Sequence, residues 1–234
     1  MSAEQGGQHD TVIVVVGGGP PPRDALLPRR ATVVAADGGL EQALALGLHI
    51  DVAIGDFDSV SSKALVEARA AGARIERHPQ AKDATDLELA LQVAATLNPK
   101  RILVIGGGGG RLDHLLAGVL ALASENYAGF ELDALLGTAI IHVVRGERRL
   151  SGARGEPLTL LPVHGPAVGV ITEGLVYPLR GETLEPGSTH GVSNIFSAPD
   201  ALVRLKHGVL LAIRPRPTLD FRRARGVNTR FTEP

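Results

Sequence analysis

Apolar residues in this chain fall into short unbroken runs which, through the first half, alternate with stretches spaced for a helix. Thr11 to Val16, Ala31 to Ala36, Val52 to Ile54, Arg101 to Ile105 and Phe130 to Leu135 are β-branched and aliphatic runs bounded by Gly, Asp or polar residues. Such runs predict strands buried on both faces. Ala73 to Glu76 predicts a shorter one. Between them, Leu40 to Leu46 places Leu40, Ala43 and Leu44 on one side of a helix that stops at Gly47. Ser61 or Ser62 can cap a second helix that runs to Ala71 and stops at Gly72. Thr85 with Glu88 fits a capping box ahead of the apolar stripe Leu87, Leu91 and Ala94. Leu115 to Ala123 predicts the last helix. From Ala139 onward the pattern changes to Ala139 to Val144, Leu158 to Leu161, Ala167 to Thr172, Leu202 to Leu205 and Val209 to Ile213, separated by Gly and Pro turns without helical spacing. The expected fold is therefore an α/β N-terminal domain with a mainly parallel sheet, residues 1–137, followed by an all-β sandwich domain, residues 138–234. The second domain ends in an aperiodic, Arg-rich surface extension, Arg214 to Pro234.

Composition narrows the class without naming it. With 234 residues, 44% hydrophobic and 21% charged, the chain can bury a core. A formal net charge of −1 supplies no general attraction to nucleic acid or to an anionic membrane, so neither is expected as a partner. The absence of Cys excludes disulfides, thiolate catalysis and Cys-ligated zinc. Met1 to Asp10 lacks the apolar centre of a signal peptide, and no apolar run approaches the roughly 20 residues of a spanning helix. A cytoplasmic enzyme or binding protein is the simplest expectation. There is no Trp, and aromatics are 3%, so any ring stacking must use one of five Phe or two Tyr.

Candidate chemistry gathers at the ends of the N-terminal strands. The run Val52 to Ile54 stops in Gly55-Asp56-Phe57-Asp58-Ser59, and Ala31 to Ala36 stops in Asp37-Gly38-Gly39. An isolated Asp-x-Asp often does no more than cap its own turn. Right-handed β-α-β crossovers, however, make these strands parallel and bring their C-terminal ends to one edge, where open α/β sheets bind ligands. Asp oxygens there suit Mg²⁺, which keeps positions for water and substrate phosphates. Gly17-Gly18-Gly19 fails the dinucleotide-binding pattern because Pro22 stands where the last Gly belongs, but a phosphate-contacting loop stays open. Asp83 and Asp86 fall at a helix N-terminus, where the helix dipole alone would favour them, and Lys82 beside them could reach a phosphate. Gly106 to Gly110, followed by Arg111-Leu112-Asp113-His114, is not a Walker A loop, since Lys-Ser/Thr is missing. Five glycines between strand and helix can still approach a polyphosphate closely.

Taken in order, Gly55-Asp56-Phe57-Asp58-Ser59, Lys82-Asp83-Ala84-Thr85-Asp86, Gly110-Arg111-Leu112-Asp113-His114 and Gly191-Val192-Ser193-Asn194 resemble the motifs of thiamine pyrophosphokinases. Asp37-Gly38-Gly39 and Gly174 to Leu179 are similar to the bacterial members, and the resemblance covers nearly the whole chain. It implies an ATP- and Mg²⁺-dependent enzyme that pyrophosphorylates thiamine, a homodimer with active sites between subunits. It also implies that Asp37, Asp56, Asp58 and Asp86 hold Mg²⁺ and the ATP phosphates, with Lys82 and Arg111 balancing phosphate charge. Gly38, Thr85, Gly109, Gly110 and His114 would line the nucleotide site, and Asp113 would lie near the thiamine hydroxyl. Ser193 and Asn194 would hold the vitamin, with Phe196 as the ring face in place of the Trp that some members use. Two other readings are open: the same transfer to a hydroxymethylpterin, and a nucleotide or thiamine sensor without catalysis.

Overall fold

The computed structural model describes residues 10–19, 27–79, 84–106 and 108–215. Lys82, Asp83 and all of the Arg-rich segment beyond Pro215 lie outside them. The order of elements is β1 (Thr11–Val16), β2 (Thr32–Ala36), α1 (Gly39–Ala45), β3 (Val52–Gly55), α2 (Ser62–Ala70), β4 (Arg74–Arg77), α3 (Asp86–Thr96), β5 (Arg101–Gly106), α4 (Leu112–Leu122) and β6 (Glu131–Leu136). Then come β7 (Ala139–Val144), β8 (Glu147–Ser151), β9 (Pro157–Glu173), β10 (Arg180–Leu184), β11 (Asn194–Ile195), β12 (Asp200–Arg204) and β13 (His207–Pro215).

Strands β1 to β6 form a parallel sheet in the order β4-β3-β2-β1-β5-β6. Successive side chains of a strand point to opposite faces, and each face here is covered. Val12, Val14, Val34, Ile102 and Val104 pack under Ala90, Leu91 and Ala94 of α3 and Leu122 of α4. Ile13, Val15, Val33, Leu103 and Ile105 pack under Leu40 and Ala43 of α1 and Ala64 and Ala68 of α2. This two-sided cover is why the strands read as unbroken apolar runs. Ser61 caps α2 by accepting from the Ala64 N–H, and Thr85 caps α3 by accepting from the Glu88 N–H, both at 3.3 Å.

Past β6 the sheet turns antiparallel without a break. Leu136 pairs with Ala139 across a two-residue turn at Gly137, whose φ of 58° is the left-handed geometry such turns need. β7 pairs with β13, and β13 with β9. The second half thus has an antiparallel, strand-rich architecture with its own core, in which Val144, Leu158, Leu160, Val170, Phe196, Val203 and Leu210 meet.

Two details depart from the sequence expectation. Leu158 to Leu161 and Ala167 to Thr172 are parts of one 17-residue strand, β9, which pairs with β13 along its first part and with β12 and β10 along its second. Gly and Pro inside it mark this bend rather than a strand end. β8, β10 and β11 carry too few apolar residues to show in the pattern; β10, for instance, buries only Leu184.

A buried ion network ties the two halves together. Asp133 of β6, 1% exposed, accepts from Arg101 of β5 and from Arg148 of β8, each at 2.6 Å, and meets His142 Nδ1 of β7 at 2.6 Å. Burial alone would raise the Asp133 carboxyl, but Arg148, His142 and Arg101 outweigh it and hold the group far below the usual carboxylate range. Burial pushes His142 down. A neutral ring donating from Nδ1 to Asp133 leaves Nε2 to accept from Arg214 Nε at 3.4 Å, and Arg214 in turn pairs with Glu156.

Candidate functional site

Chain direction across the sheet reverses at β1: β2, β3 and β4 build outward on one side, and β5 returns to the other. Between β1 and β5 the strand order therefore switches, which is where an open sheet of this kind holds a ligand, beyond the C-terminal ends of its strands. A pocket of about 630 Å³ lies there, lined by Gly17 and Gly18 after β1, Asp37 and Gly38 after β2, Asp56 and Ser59 after β3, and Gly109, Gly110 and Arg111 after β5. Ala84, Thr85 and Asp86 join from the start of α3, and His114, Leu115 and Gly118 from α4. Of the residues singled out by sequence, Asp37, Gly38, Asp56, Thr85, Asp86, Gly109, Gly110, Arg111 and His114 meet here.

Local backbone explains how the carboxylates are aimed. Asp37 (φ 42°) and Phe57 (φ 61°) adopt the left-handed conformation, a strain of order 1–3 kcal/mol each that persists only where surrounding bonds enforce it. Those bonds are present. The Asp37 N–H donates to the Ile54 carbonyl at 2.8 Å, the Phe57 N–H donates to Asp37 Oδ1 at 3.1 Å, and the Asp58 N–H donates to Asp56 Oδ1 at 3.0 Å. The ring of Phe57 is buried in the core, which sends its two Asp neighbours outward. Asp37, Asp56 and Asp58 each offer an oxygen within 4.8 Å of the others, a spacing that could hold a metal ion. Asp86 is at the first turn of α3 and lines the same pocket.

The glycine loop serves two purposes. A Cβ on Gly106 would lie 2.1 Å from the Val16 carbonyl oxygen, and one on Gly108 would lie 2.1 Å from Gly137 Cα, so both are needed for backbones to pass. The Gly109 N–H donates to the Gly18 carbonyl at 2.6 Å and locks the two glycine loops together. Gly110, by contrast, has open space around it and lines the pocket. Gly106→Ala, with overpacking of about 1–3 kcal/mol and strain of similar size at φ 112°, should lose roughly 3 kcal/mol or more of stability. Gly110→Ala should lose only the strain contribution while impairing ligand binding. Equal denaturation midpoints for the two variants would contradict this division.

Arg111 and Asp113 form an exposed bidentate pair, with Nη2 to Oδ2 at 2.6 Å and Nε to Oδ1 at 3.2 Å. The guanidinium beside it, chiefly through its hydrogen bond, holds the Asp113 carboxyl down to about 2. Arg111 lines the pocket; Asp113 does not.

The residues expected to hold an acceptor lie elsewhere in the chain. A second pocket, of about 270 Å³, is lined by Tyr177, Glu182, His190, Val192 and Asn194 among others, and shares no described lining residue with the first. Asn194 is buried and spent on structure: its Oδ1 accepts from the Tyr177 N–H at 3.1 Å and its Nδ2 donates to the Tyr177 carbonyl at 2.7 Å. Ser193, exposed, sits at φ 60° with its N–H donating to Thr159 Oγ1. Phe196 corrects the expectation of a ring face for a ligand. It is fully enclosed in the second core, packed where a Cβ on Gly152 would clash at 2.7 Å. The aliphatic side of the main pocket, Leu87, Leu115, Gly118 and Leu136, was not singled out from sequence. Helical spacing marks Leu87 and Leu115 only as core.

Comparison with known proteins agrees along the chain. Residues 24–132 match the family model for the thiamin pyrophosphokinase catalytic domain, and residues 139–210 match that for the thiamin pyrophosphokinase vitamin B1 binding domain. The thiamine pyrophosphokinase of Bacillus subtilis (strain 168) is 26% identical over 183 residues, which is 77% of this chain and 86% of that one. Among solved structures, thiamin pyrophosphokinase from Geobacillus thermodenitrificans superposes with a TM-score of 0.70 at 28% identity, covering 88% of this chain and 98% of that chain. The enzyme from Candida albicans shares the fold, with a TM-score of 0.68 at 17% identity over 89% and 90% of the two chains.

Proposed function

The chain belongs to the thiamin pyrophosphokinase family, and from that premise we propose how its geometry makes thiamine diphosphate from thiamine and ATP. The observation that carries the reading is the single pocket in which Asp37 and Asp56 from two strand ends, Gly110 and Arg111 from a third, and Asp86 from the start of α3 converge. The donor set fits Mg²⁺: hard carboxylate oxygens of Asp37, Asp56 and Asp58 within 4.8 Å of one another, in a pocket that Gly109, Gly110 and Arg111 also line. Asp37, Asp56, Asp58 and Asp86 would hold it, and when bound it supplies charge neutralisation at the phosphoryl oxygens.

The primary hydroxyl of thiamine attacks the β-phosphorus of ATP, the bond from that phosphorus to the oxygen of the α-phosphate breaks, and AMP leaves. Positioning and charge stabilisation supply most of such a barrier reduction. Arg111 stabilises the equatorial oxygens, and Asp113 accepts the hydroxyl proton. A carboxylate at about 2 is a weak base. Transfer of Arg111 from Asp113 to the phosphates returns Asp113 toward its ordinary range, so the base gains strength as the nucleotide is seated.

The division of labour follows the two halves of the chain, residues 1–137 for ATP and Mg²⁺ and 138–234 for thiamine. Support for a homodimer with the site between subunits comes from two features. Leu112, Leu116 and Leu120 form an exposed stripe on α4, which also lines the main pocket, and Val176, Tyr177 and Val192 are exposed beside the second pocket. A second copy that covers one patch with the other would bring exposed Ser193 and the pocket that Asn194 braces to the nucleotide.

AMP release measured with ATP and Mg²⁺, with thiamine or a hydroxymethylpterin added, tests the reading. Thiamine should give one AMP per thiamine diphosphate. Use of the pterin alone would replace the acceptor, and binding of nucleotide with no product from either would leave a sensor.

A further inference from the structure

We propose that Ser59 is a positioning residue for the metal-binding carboxylates, acting through Asp37; the proposal deepens the metal-phosphate reading of the pocket and rests on it. Ser59 Oγ donates to Asp37 Oδ2 at 2.5 Å, and its only proton is spent there. It therefore cannot also donate to a phosphate, although it lines the pocket. With Oδ1 bound by the Phe57 N–H, both Asp37 oxygens are engaged by the loop after β3, while the Asp37 N–H reaches back to Ile54. Asp37 is thus a brace between the loops after β2 and β3, and Ser59 is its outer fastening.

The consequence is geometric. Freed from Ser59, the Asp37 carboxylate is held by the Phe57 N–H alone and can swing about that bond, so the left-handed turn at Phe57 is enforced by a less firmly anchored acceptor. Asp56 and Asp58 flank that turn, so the oxygen separation of the three carboxylates would no longer be set in advance. Ser59 is exposed and belongs to no core cluster, and its removal leaves the apolar packing intact. Partners that orient ligating carboxylates typically contribute 10- to 100-fold in metal affinity.

The test uses the full chain carrying Ser59→Ala or Ser59→Thr, titrated with Mg²⁺ in two ways: the thermal melting midpoint with Mg²⁺ alone, and AMP formation at saturating ATP and thiamine. Ser59→Ala should need about tenfold more free Mg²⁺, or more, for half the effect in both, with turnover at saturating Mg²⁺ largely retained. Ser59→Thr keeps the hydroxyl and should restore the wild-type midpoint. A role confined to stability would lower the melt without Mg²⁺ and leave the Mg²⁺ midpoint unmoved, which overturns the proposal. An Asp56→Asn control separates the two levels. If it also leaves the Mg²⁺ response unchanged, the metal reading itself fails; if it alone abolishes the response, only the role of Ser59 fails.

Discussion

Asp56→Asn should reduce AMP formation by about 100- to 1000-fold while leaving the melting temperature within a few degrees of wild type. The expected size follows from losing a metal ligand, an interaction of several kcal/mol at the transition state, with each 1.4 kcal/mol a factor of ten. The expected selectivity follows from position. Asp56 is half-buried at a strand end and belongs to none of the apolar clusters. Its Oδ1 accepts the Asp58 N–H, a bond that the Asn carbonyl can keep. Fold and turn should survive while the charge is lost. Turnover near wild type at saturating Mg²⁺ would remove Asp56 from the site.

The largest effect on stability should come from a residue far from the chemistry. Asp133→Ala removes the fully buried carboxylate that half-buried Arg101 and Arg148 each meet at 2.6 Å and leaves them the more exposed Glu131, at 3.8 and 3.0 Å; breaking a buried pair from one side commonly costs about 3–5 kcal/mol. Denaturant unfolding should show a loss in that range, and a change below about 1 kcal/mol would mean that the network is incidental. The same network predicts acid sensitivity. The His142 pKa is lower in the folded chain than when unfolded, so below about pH 6.5 the unfolded chain binds a proton that the folded chain refuses, and stability falls as pH drops. The depressed Asp133 carboxyl acts in the same direction lower down: its contribution is present above about pH 4 and is lost as pH falls further.

Much of the architecture was written in local pattern. The runs Thr11 to Val16 and Ala139 to Val144 coincide with β1 and β7 to the residue, because a strand covered on both faces is apolar almost throughout, His142 of β7 being accommodated by its bond to Asp133. Thr85 caps the helix it was expected to cap, and of the two serines offered for the second helix Ser61 is the cap, since a cap satisfies amide donors within three residues of itself. The meeting of Asp37, Asp56 and the loop ending in Arg111 also followed from sequence, because right-handed crossovers bring the ends of successive parallel strands to one edge, whereas Asp86, at the start of α3, was placed there only by the family resemblance.

What depended on long-range partners was hidden. The bend that makes β9 one strand exists because β13 holds its first part and β12 and β10 its second, and no local signal says which strand lies alongside. Polar β8 and β10 are strands through pairing rather than burial. Gly106, Gly108 and Gly110 are identical in sequence, yet two are glycine because another backbone passes within contact and the third faces open space. Phe196 was the aromatic nearest to Ser193 and Asn194 along the chain, but Gly152, 44 residues upstream, gives it room in a core and takes it away from any ligand. Sequence determined which residue types stand at the strand ends and hence the chemistry available; only tertiary structure decided which of them face the crevice, because facing is a property of what packs behind a side chain and not of the side chain itself.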